Sequence, residues 1–498
     1  MIEIGRISIN LEYRLTWRMV MINHPAWSSP IYEMIDLTLE KIIAQYPYAG
    51  LAIGIVDHEK IVYTKCFGFQ NLETKIPLTP LSLFSIASIS KTFVATAIMQ
   101  LVEQGKLTLD TTLNSILPYF HMADPRHTHF TIEQMLSHTS GMPDILDYTW
   151  QPPEFDEGAL ERYVRSFGKE KLVFAPGEKF VYSNTAYDIL GQVIAEVSGR
   201  LFEDYIEEHI LQPLGMKYST FLYTKASPDL ITTPYLSLPD IEASPLYPYT
   251  RAHAPCGSLH THVIDLCAWA IANLNRGRYG ENQILSSASY DLLWQSGALV
   301  DEAHPDEYVG LCWFLSKYRD VLRVSHSGSD LGFNTLLTLL PEKLVGVVVL
   351  ANSYPAPTNV ITEAILDIIH GFEPCYPKPP VVQALAPVLK SQGLEAAITA
   401  YHKIKENQAY DFDFNPGQFF NIGYVLNDIR RTAEAMDILK LGIEINPTAD
   451  ELYLELGRTA LQSGDKIQAE HFCQQCLSIN PHNWEAARWL NDLYQNRI

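Results

Sequence analysis

Two hydrophobic periods run along this chain, and the point where one gives way to the other divides it. From residue 30, apolar side chains at Ile31, Met34, Ile35, Leu37, Leu39, Ile42 and Ile43 follow helical spacing and predict an amphipathic helix. The run Gly50–Val56, a polar turn at Asp57–Lys60 and the run Ile61–Thr64 predict a β-hairpin. Phe93, Val94, Ala97, Ile98, Leu101 and Val102 predict a helix that Gly105 ends. A short helix is expected within Thr131–Gly141. A longer one should start at Asn184 as N-cap, bury Ile189, Leu190, Val193, Ile194 and Val197, and stop at Gly199. Another covers Phe202–Leu211 and breaks at Pro213, and residues 221–256, rich in Pro, Tyr and Ser, read as a long loop or lid. A helix over Val263–Leu274, strands over Leu322–His326, Asn334–Leu340 and Val345–Leu350, and a helix over Thr358–Ile369 complete the pattern. Strands at both ends with helices between them define an α+β domain whose terminal strands share one antiparallel sheet.

The period then changes. Pro374, Pro377, Pro379 and Pro380 mark a stiff linker over 372–380, beyond which strand signals vanish. The expected organisation is an N-terminal extension over 1–29, a mixed domain over 30–371, the linker, and an all-α domain over 381–498. In the last of these, Ile422/Leu456/Leu490, Gly423/Gly457, Ala435/Ala469 and Ile445-Asn446-Pro447/Ile479-Asn480-Pro481 superpose at a spacing of 34 residues. Small residues at such positions let paired helices pack closely. The pattern resembles tetratricopeptide repeats. A degenerate helical pair is expected over Val381–Lys405 and a capping helix over Trp484–Tyr494.

Composition narrows the function classes. A length of 498 residues suggests two to four domains, and a 47% hydrophobic share is ample for a packed core. A net charge of −21 excludes a nucleic-acid binder and attraction to anionic membranes. The seven cysteines are odd in number and scattered, which fits free thiols in a reducing compartment. Cys473 and Cys476 form C-x-x-C inside a helical pattern without a second ligand pair. Charges at Arg6, Glu12, Arg14 and Arg18 interrupt any secretory leader in the first thirty residues, and Pro341-Glu342-Lys343 splits the longest apolar stretch, so no membrane span and a cytoplasmic location are expected.

The candidate chemistry starts at Ser88 and Lys91, three residues apart on one helical face. Ser88 falls in the first helical turn, where free N–H groups favour developing negative charge. The same field should lower the Lys91 pKa and make its amine a base for a hydroxyl that is otherwise a weak nucleophile. Tyr182-Ser183-Asn184 lies about ninety residues further on, and His326-Ser327-Gly328 lies on a late strand. These stretches, with Leu136-Ser137-His138-Thr139-Ser140-Gly141, Pro176-Gly177-Glu178, Pro213-Leu214-Gly215-Met216 and Gly257-Ser258-Leu259, resemble the motifs of class C β-lactamases and their relatives, the penicillin-binding, esterase and D-peptidase enzymes. The resemblance runs from about Gly50 to His370. It implies a β-lactamase/transpeptidase-like domain, an antiparallel sheet flanked by helices, acting as a serine hydrolase through an acyl-enzyme.

In that reading Ser88 is the nucleophile. Lys91, alone or with a partly ionised Tyr182, is the base, and Asn184 hydrogen-bonds Lys91 and the substrate amide. The backbone N–H groups of Ser88 and Ser329 form the oxyanion hole, and Gly328 keeps the strand edge clear for substrate. His326 departs from the lysine that many β-lactamases carry there. A neutral imidazole pulls less on a substrate carboxylate, so weak or absent β-lactamase activity is expected. No cofactor is expected, and no metal, although His253, Cys256, His260 and His262 lie close in sequence. His138 should fix a buried turn. Tyr235, Tyr247 and Tyr249 either line the cleft or pack in their loop. The expected partners are a small-molecule or peptide substrate and, through residues 381–498, a protein or a second copy. The competing reading is an inactive hydrolase scaffold that serves protein interaction through the repeats.

Overall fold

The computed structural model describes residues 29–145, 148, 150–237, 240–302, 304–407 and 411–494; of the N-terminal extension, only Ser29 falls among them. The first amphipathic stretch forms α1 (Ser29–Ile43), and the hairpin forms β1 (Gly50–Asp57) and β2 (Lys60–Asn71). Then come α2 (Ser90–Glu103), α3 (Asn184–Ser198) and α4 (Val263–Leu274). The chain returns to the sheet through β3 (Phe314–Tyr318), β4 (Val321–Asp330), β5 (Phe333–Leu340) and β6 (Val345–Ala351), and α5 (Thr358–Ile369) follows. The sheet order is β3-β4-β5-β6-β1-β2, antiparallel throughout, with two-residue strands on either flank.

Alternation along the central strands explains the layers. Leu51, Ile53 and Ile55 of β1 and Val347 and Val349 of β6 share a core with Ile35 and Leu39 of α1 and Ile361 and Ile365 of α5. Ala52, Val56, Val348 and Leu350 point the other way, into the larger core with α2, α3 and α4. Both faces of β1 are therefore buried, which is why it reads as a continuous apolar run. This is the expected α+β domain.

Some local details differ from the sequence reading. β2 continues past Thr64 to Asn71 because the polar Lys65 is neutralised by Asp36 of α1 at 2.8 Å. The stretch after Phe202 is α-helical to Ile206 and then widens into a π turn over Glu207–Leu211. Asn184 is not the N-cap of α3. Ser183 is, its hydroxyl accepting the Ala186 N–H at 3.1 Å. Among the described residues of 221–256 there are only short pieces, including the paired strands Tyr235–Leu236 and Glu242–Ala243. Among the described residues no helix is long and apolar enough to cross a membrane.

Among the described residues the elements of the C-terminal part are helices: α6 (Val381–Gln392), α7 (Leu394–Asn407), α8 (Gly417–Asp428), α9 (Thr432–Ile445), α10 (Asp450–Gln462), α11 (Lys466–Ile479) and α12 (Trp484–Tyr494). A Cβ on Gly423 would stand 2.5 Å from Leu439, and one on Gly457 would stand 3.0 Å from Cys473, so the small residues do let paired helices close. Cys473 and Cys476 are both buried within this packing.

The repeats are not a separate bead on a string. Their apolar core takes in Leu236 and Leu331 of the first domain, and Trp150, Leu246 and Tyr354 pack against it. Arg488 pairs with Glu170 at 3.0 Å, and Arg431 pairs with Glu242. Cleavage within 372–379, which carries no helix or strand, is expected to leave two fragments that still co-elute on gel filtration. Fragments that separate under native conditions would show that these contacts do not hold the halves together.

Candidate active site

The turn before α2 is sharply bent. Ala87 has φ 45°, a left-handed conformation that costs a residue with a side chain, and Ala87–Ile89 forms a 3-10 turn leading into the helix. Residues 82–87 and 89–101 are buried while Ser88 is half-exposed, so its hydroxyl is where the turn opens to solvent. Lys91 is fully buried. Its Nζ donates to Ser88 Oγ at 2.9 Å and to the Cys256 carbonyl at 2.6 Å. Tyr182 completes the group: its phenol hydrogen-bonds Lys91 and Ser88, and the ammonium lies 5.1 Å from its ring centre.

The electrostatics of this pair correct two expectations. Burial pushes the Lys91 pKa down, but the Tyr182 oxygen, the Cys256 thiol and the Asp144 carboxylate outweigh burial, and the net direction is up. Tyr182 is also raised, first by burial, against the opposing hydrogen bonds from Lys91 and Ser88. The resting pair is therefore an ammonium beside a neutral phenol, not a free amine or a phenolate. The field of the helix N-terminus is too weak to win against so many nearby oxygens.

Tyr182 is aimed from behind by His138, whose ring stacks on it with centroids 4.4 Å apart and whose Nδ1 accepts the Ser183 N–H at 3.1 Å. Burial holds His138 well below the usual imidazole range, so it is neutral, in keeping with a turn-fixing role. Asn184 does not bind Lys91, contrary to the sequence reading. Asp144 takes both its backbone N–H at 2.8 Å and its side-chain amide at 3.1 Å. Asp144 thus fixes Asn184 and adds its charge near Lys91.

The third motif comes from β4. Its partner β3 ends at the pair Phe314↔Ser325, so among the described residues the flank of 326–330 beyond that pair has no strand beside it. Ser327 and Ser329 are exposed there, while His326 and Gly328 turn inward. Gly328 has a different reason from the one expected. An added Cβ would point away from the cleft and stand 2.2 Å from the Ile86 carbonyl. Thr335 bonds the same carbonyl at 2.9 Å. The glycine lets the strand press against the turn that holds Ser88. His326 is neutral: burial, then Lys91, pushes it down to about 3, and its Nδ1 lies 2.7 Å from the Ser327 carbonyl.

Behind Lys91 stands a buried relay. Asp188 accepts the Cys256 N–H at 3.1 Å and lies 2.7 Å from His253 Nδ1, which holds in place the peptide whose carbonyl binds Lys91. The other residues considered as ligands are engaged elsewhere: His260 with Tyr247 at 2.9 Å, and His262 as the N-cap of α4.

These groups open into a cleft of about 450 Å³. Ser88, Tyr182, Asn184, His326, Ser327 and Ser329 line it, together with Tyr148, Trp150 and Phe314. So do Phe420, Tyr424, Val425 and Asp428 of the repeat domain. Tyr235, Tyr247 and Tyr249 do not reach it and are loop packing. Sequence reasoning missed Asp144, although it follows the Ser-His-Thr-Ser-Gly stretch by three residues. It also missed Asp188 and the whole contribution of α8, for which no local signal exists.

A Lys on a helix and a Ser in the 3-10 turn leading into it, beside an antiparallel sheet, with a tyrosine just before a second helix and a strand flank at the cleft, is the architecture of the β-lactamase/transpeptidase fold. The sequence profile of the Beta-lactamase family matches residues 35–370, and the chain belongs to that family; a Tetratricopeptide repeat profile matches 450–483. Protein flp of Staphylococcus aureus (strain MW2) is 29% identical over 330 residues, 64% of this chain and 63% of that protein. The chain thus spans under two thirds of the length of that relative. A Beta-lactamase of Pseudomonas fluorescens is 29% identical over 361 residues, covering 67% of this chain and 97% of that protein. The octameric penicillin-binding protein homologue from Pyrococcus abyssi superposes with a TM-score of 0.59 at 28% identity, over 72% of this chain and 81% of that one.

Because Gly328 sets the distance between strand and turn, Gly328→Ala is expected to lower kcat about 10²-fold, as misplacements near 1 Å do. Ester turnover with circular dichroism as a fold control checks this; unchanged kcat in a folded variant would show that the contact does not position the site.

Proposed function

We propose that the protein is a serine hydrolase of esters or amides, acting through an acyl-enzyme on Ser88. The carrying observation is the 2.9 Å contact between a fully buried Lys91 and a half-exposed Ser88 at the floor of the cleft. Once the Lys91–Tyr182 pair has lost its surplus proton, it takes the Ser88 proton as Oγ attacks the carbonyl carbon. The oxygen of the tetrahedral intermediate points to the Ser88 and Ser329 N–H groups. Collapse breaks the bond to the leaving group, which receives the proton from the pair. Water, deprotonated by the same pair, then releases the acid and restores Ser88.

The cleft lining favours substrates without a carboxylate beside the scissile bond. Asp428 lines it, with Asp144 and Asp330, whose pKa values burial raises (Asp330 to about 7); no Arg or Lys lines it among the described residues, and His326 is neutral. β-Lactams, which carry such a carboxylate, are accordingly poor substrates.

Ser88→Ala and Lys91→Ala are each expected to lower turnover of a short-chain p-nitrophenyl ester by on the order of 10³-fold or more. Intact mass after a small fluorophosphonate should show one adduct that Ser88→Ala abolishes. Ester hydrolysis that survives Ser88→Ala rules the mechanism out.

The pH profile tests the base. His326 is already neutral above about 3 and should give no limb between pH 5 and 8. Lys91 and Tyr182 are both raised, so kcat/KM should keep climbing on the alkaline side as the pair loses its proton. A plateau reached in the acid range would point to a different base.

A further inference from the structure

We propose that α8 of the repeat domain is a specificity wall of the Ser88 cleft, restricting it to compact, largely apolar or aromatic acyl donors through Phe420 and Tyr424. The proposal rests on the reading of that cleft as the active site, and goes beyond it by assigning the repeats a role in the same reaction.

Phe420, Tyr424, Val425 and Asp428 fall at positions separated by four, one and three residues, so they share one face of α8. That face lines the same cleft as Ser88 and Tyr182 of the first domain. Phe420 and Tyr424 stack with centroids 6.1 Å apart, which makes a continuous aromatic surface. Tyr148, Trp150, Phe314 and Tyr354 also line the cleft and extend this aromatic surface.

The wall is braced on both sides. Behind it, Asn427 is fully buried and donates to Glu455 at 2.6 Å and Thr459 at 2.7 Å, both on α10. Arg458 of α10 bonds Asp428 at 2.5 Å and lies 4.5 Å from the Tyr424 ring centre. In front, β4 ends at Asp330, and the next residue, Leu331, is buried in the repeat core. The strand that offers Ser327 and Ser329 to the cleft is thus anchored by the same packing that holds the wall. At a second point Trp484 of α12 meets Phe174 edge-on at 6.2 Å, and Trp484 and Glu485 line a smaller hollow with Tyr182. A helix fixed in this way limits how long or branched an acyl group can be while its carbonyl sits over Ser88. A polymeric chain running across the cleft would meet Phe420 and Tyr424.

The test compares kcat/KM of the full-length protein for p-nitrophenyl acetate and for a p-nitrophenyl ester of a bulky branched acid. Phe420→Ala and Tyr424→Ala should each shift the ratio toward the bulky ester by about 10-fold. Phe420→Trp, which narrows the cleft, should shift it the other way. Opposite shifts from opposite changes in size separate a wall from a general loosening of the repeats. A ratio that stays constant across the variants, or moves the same way in Phe420→Ala and Phe420→Trp, overturns the proposal. Adduct formation at Ser88 by a small fluorophosphonate is read in parallel. A constant ratio with Ser88 still labelled rejects the wall alone, while wild type that is never labelled at Ser88 rejects the active-site reading and the wall with it.

Discussion

A cation that water cannot reach is the constraint on which the site depends. Lys91 has no solvent exposure, and stranding a buried charge without partners costs about 3–5 kcal/mol. Here the ammonium is met by the Cys256 carbonyl and the Ser88 hydroxyl, with the Tyr182 phenol beside them. Each of those acceptors must be held by something else. Cys256 is held by Asp188 and His253, Tyr182 by His138, and Ser88 by the strained turn at Ala87. The sheet contributes by pressing Gly328 against Ile86. The buried cation therefore organises side chains drawn from several separate stretches of the first domain.

Much of this was legible in the sequence, because the pieces are local. A 3.6-residue period placed α2 and α3, and short apolar runs bounded by polar turns placed β1, β5 and β6. The 34-residue spacing placed the paired helices, with Gly423 and Gly457 in the contacts expected of them. Ser88, Lys91, Tyr182, His326 and Ser329 do converge. What was not legible depends on long-range contact. That Asn184 answers to Asp144 is set by the loop after Gly141, not by its own helix. The protonation of Lys91 is set by groups up to 165 residues away, and the short helical dipole loses to them. β3 escaped notice because Phe314, Leu315 and Tyr318 follow no two-residue period within a strand of five residues.

The proline-rich segment marks where chain composition changes, yet the packing crosses it. Leu236 and Leu331 belong by sequence to the first domain and by contact to the second. Composition reports where a chain can bend; it does not report which faces meet afterwards. That is why the four residues of α8 could not be placed at the cleft by any property of their own stretch.

The shared core also has a consequence for how the protein is made. Phe420 follows Ser88 by 332 residues, so the ribosome delivers Ser88 long before the helix that lines the same cleft. N-terminal domains fold first during synthesis, at about 5–20 residues per second, which leaves the face around Leu236, Leu331 and Tyr354 bare for seconds. In that interval the nascent chain exposes an apolar patch next to an open cleft. A newborn molecule is thus both stickier and less discriminating than a finished one, and burying that patch is the same event that completes the wall.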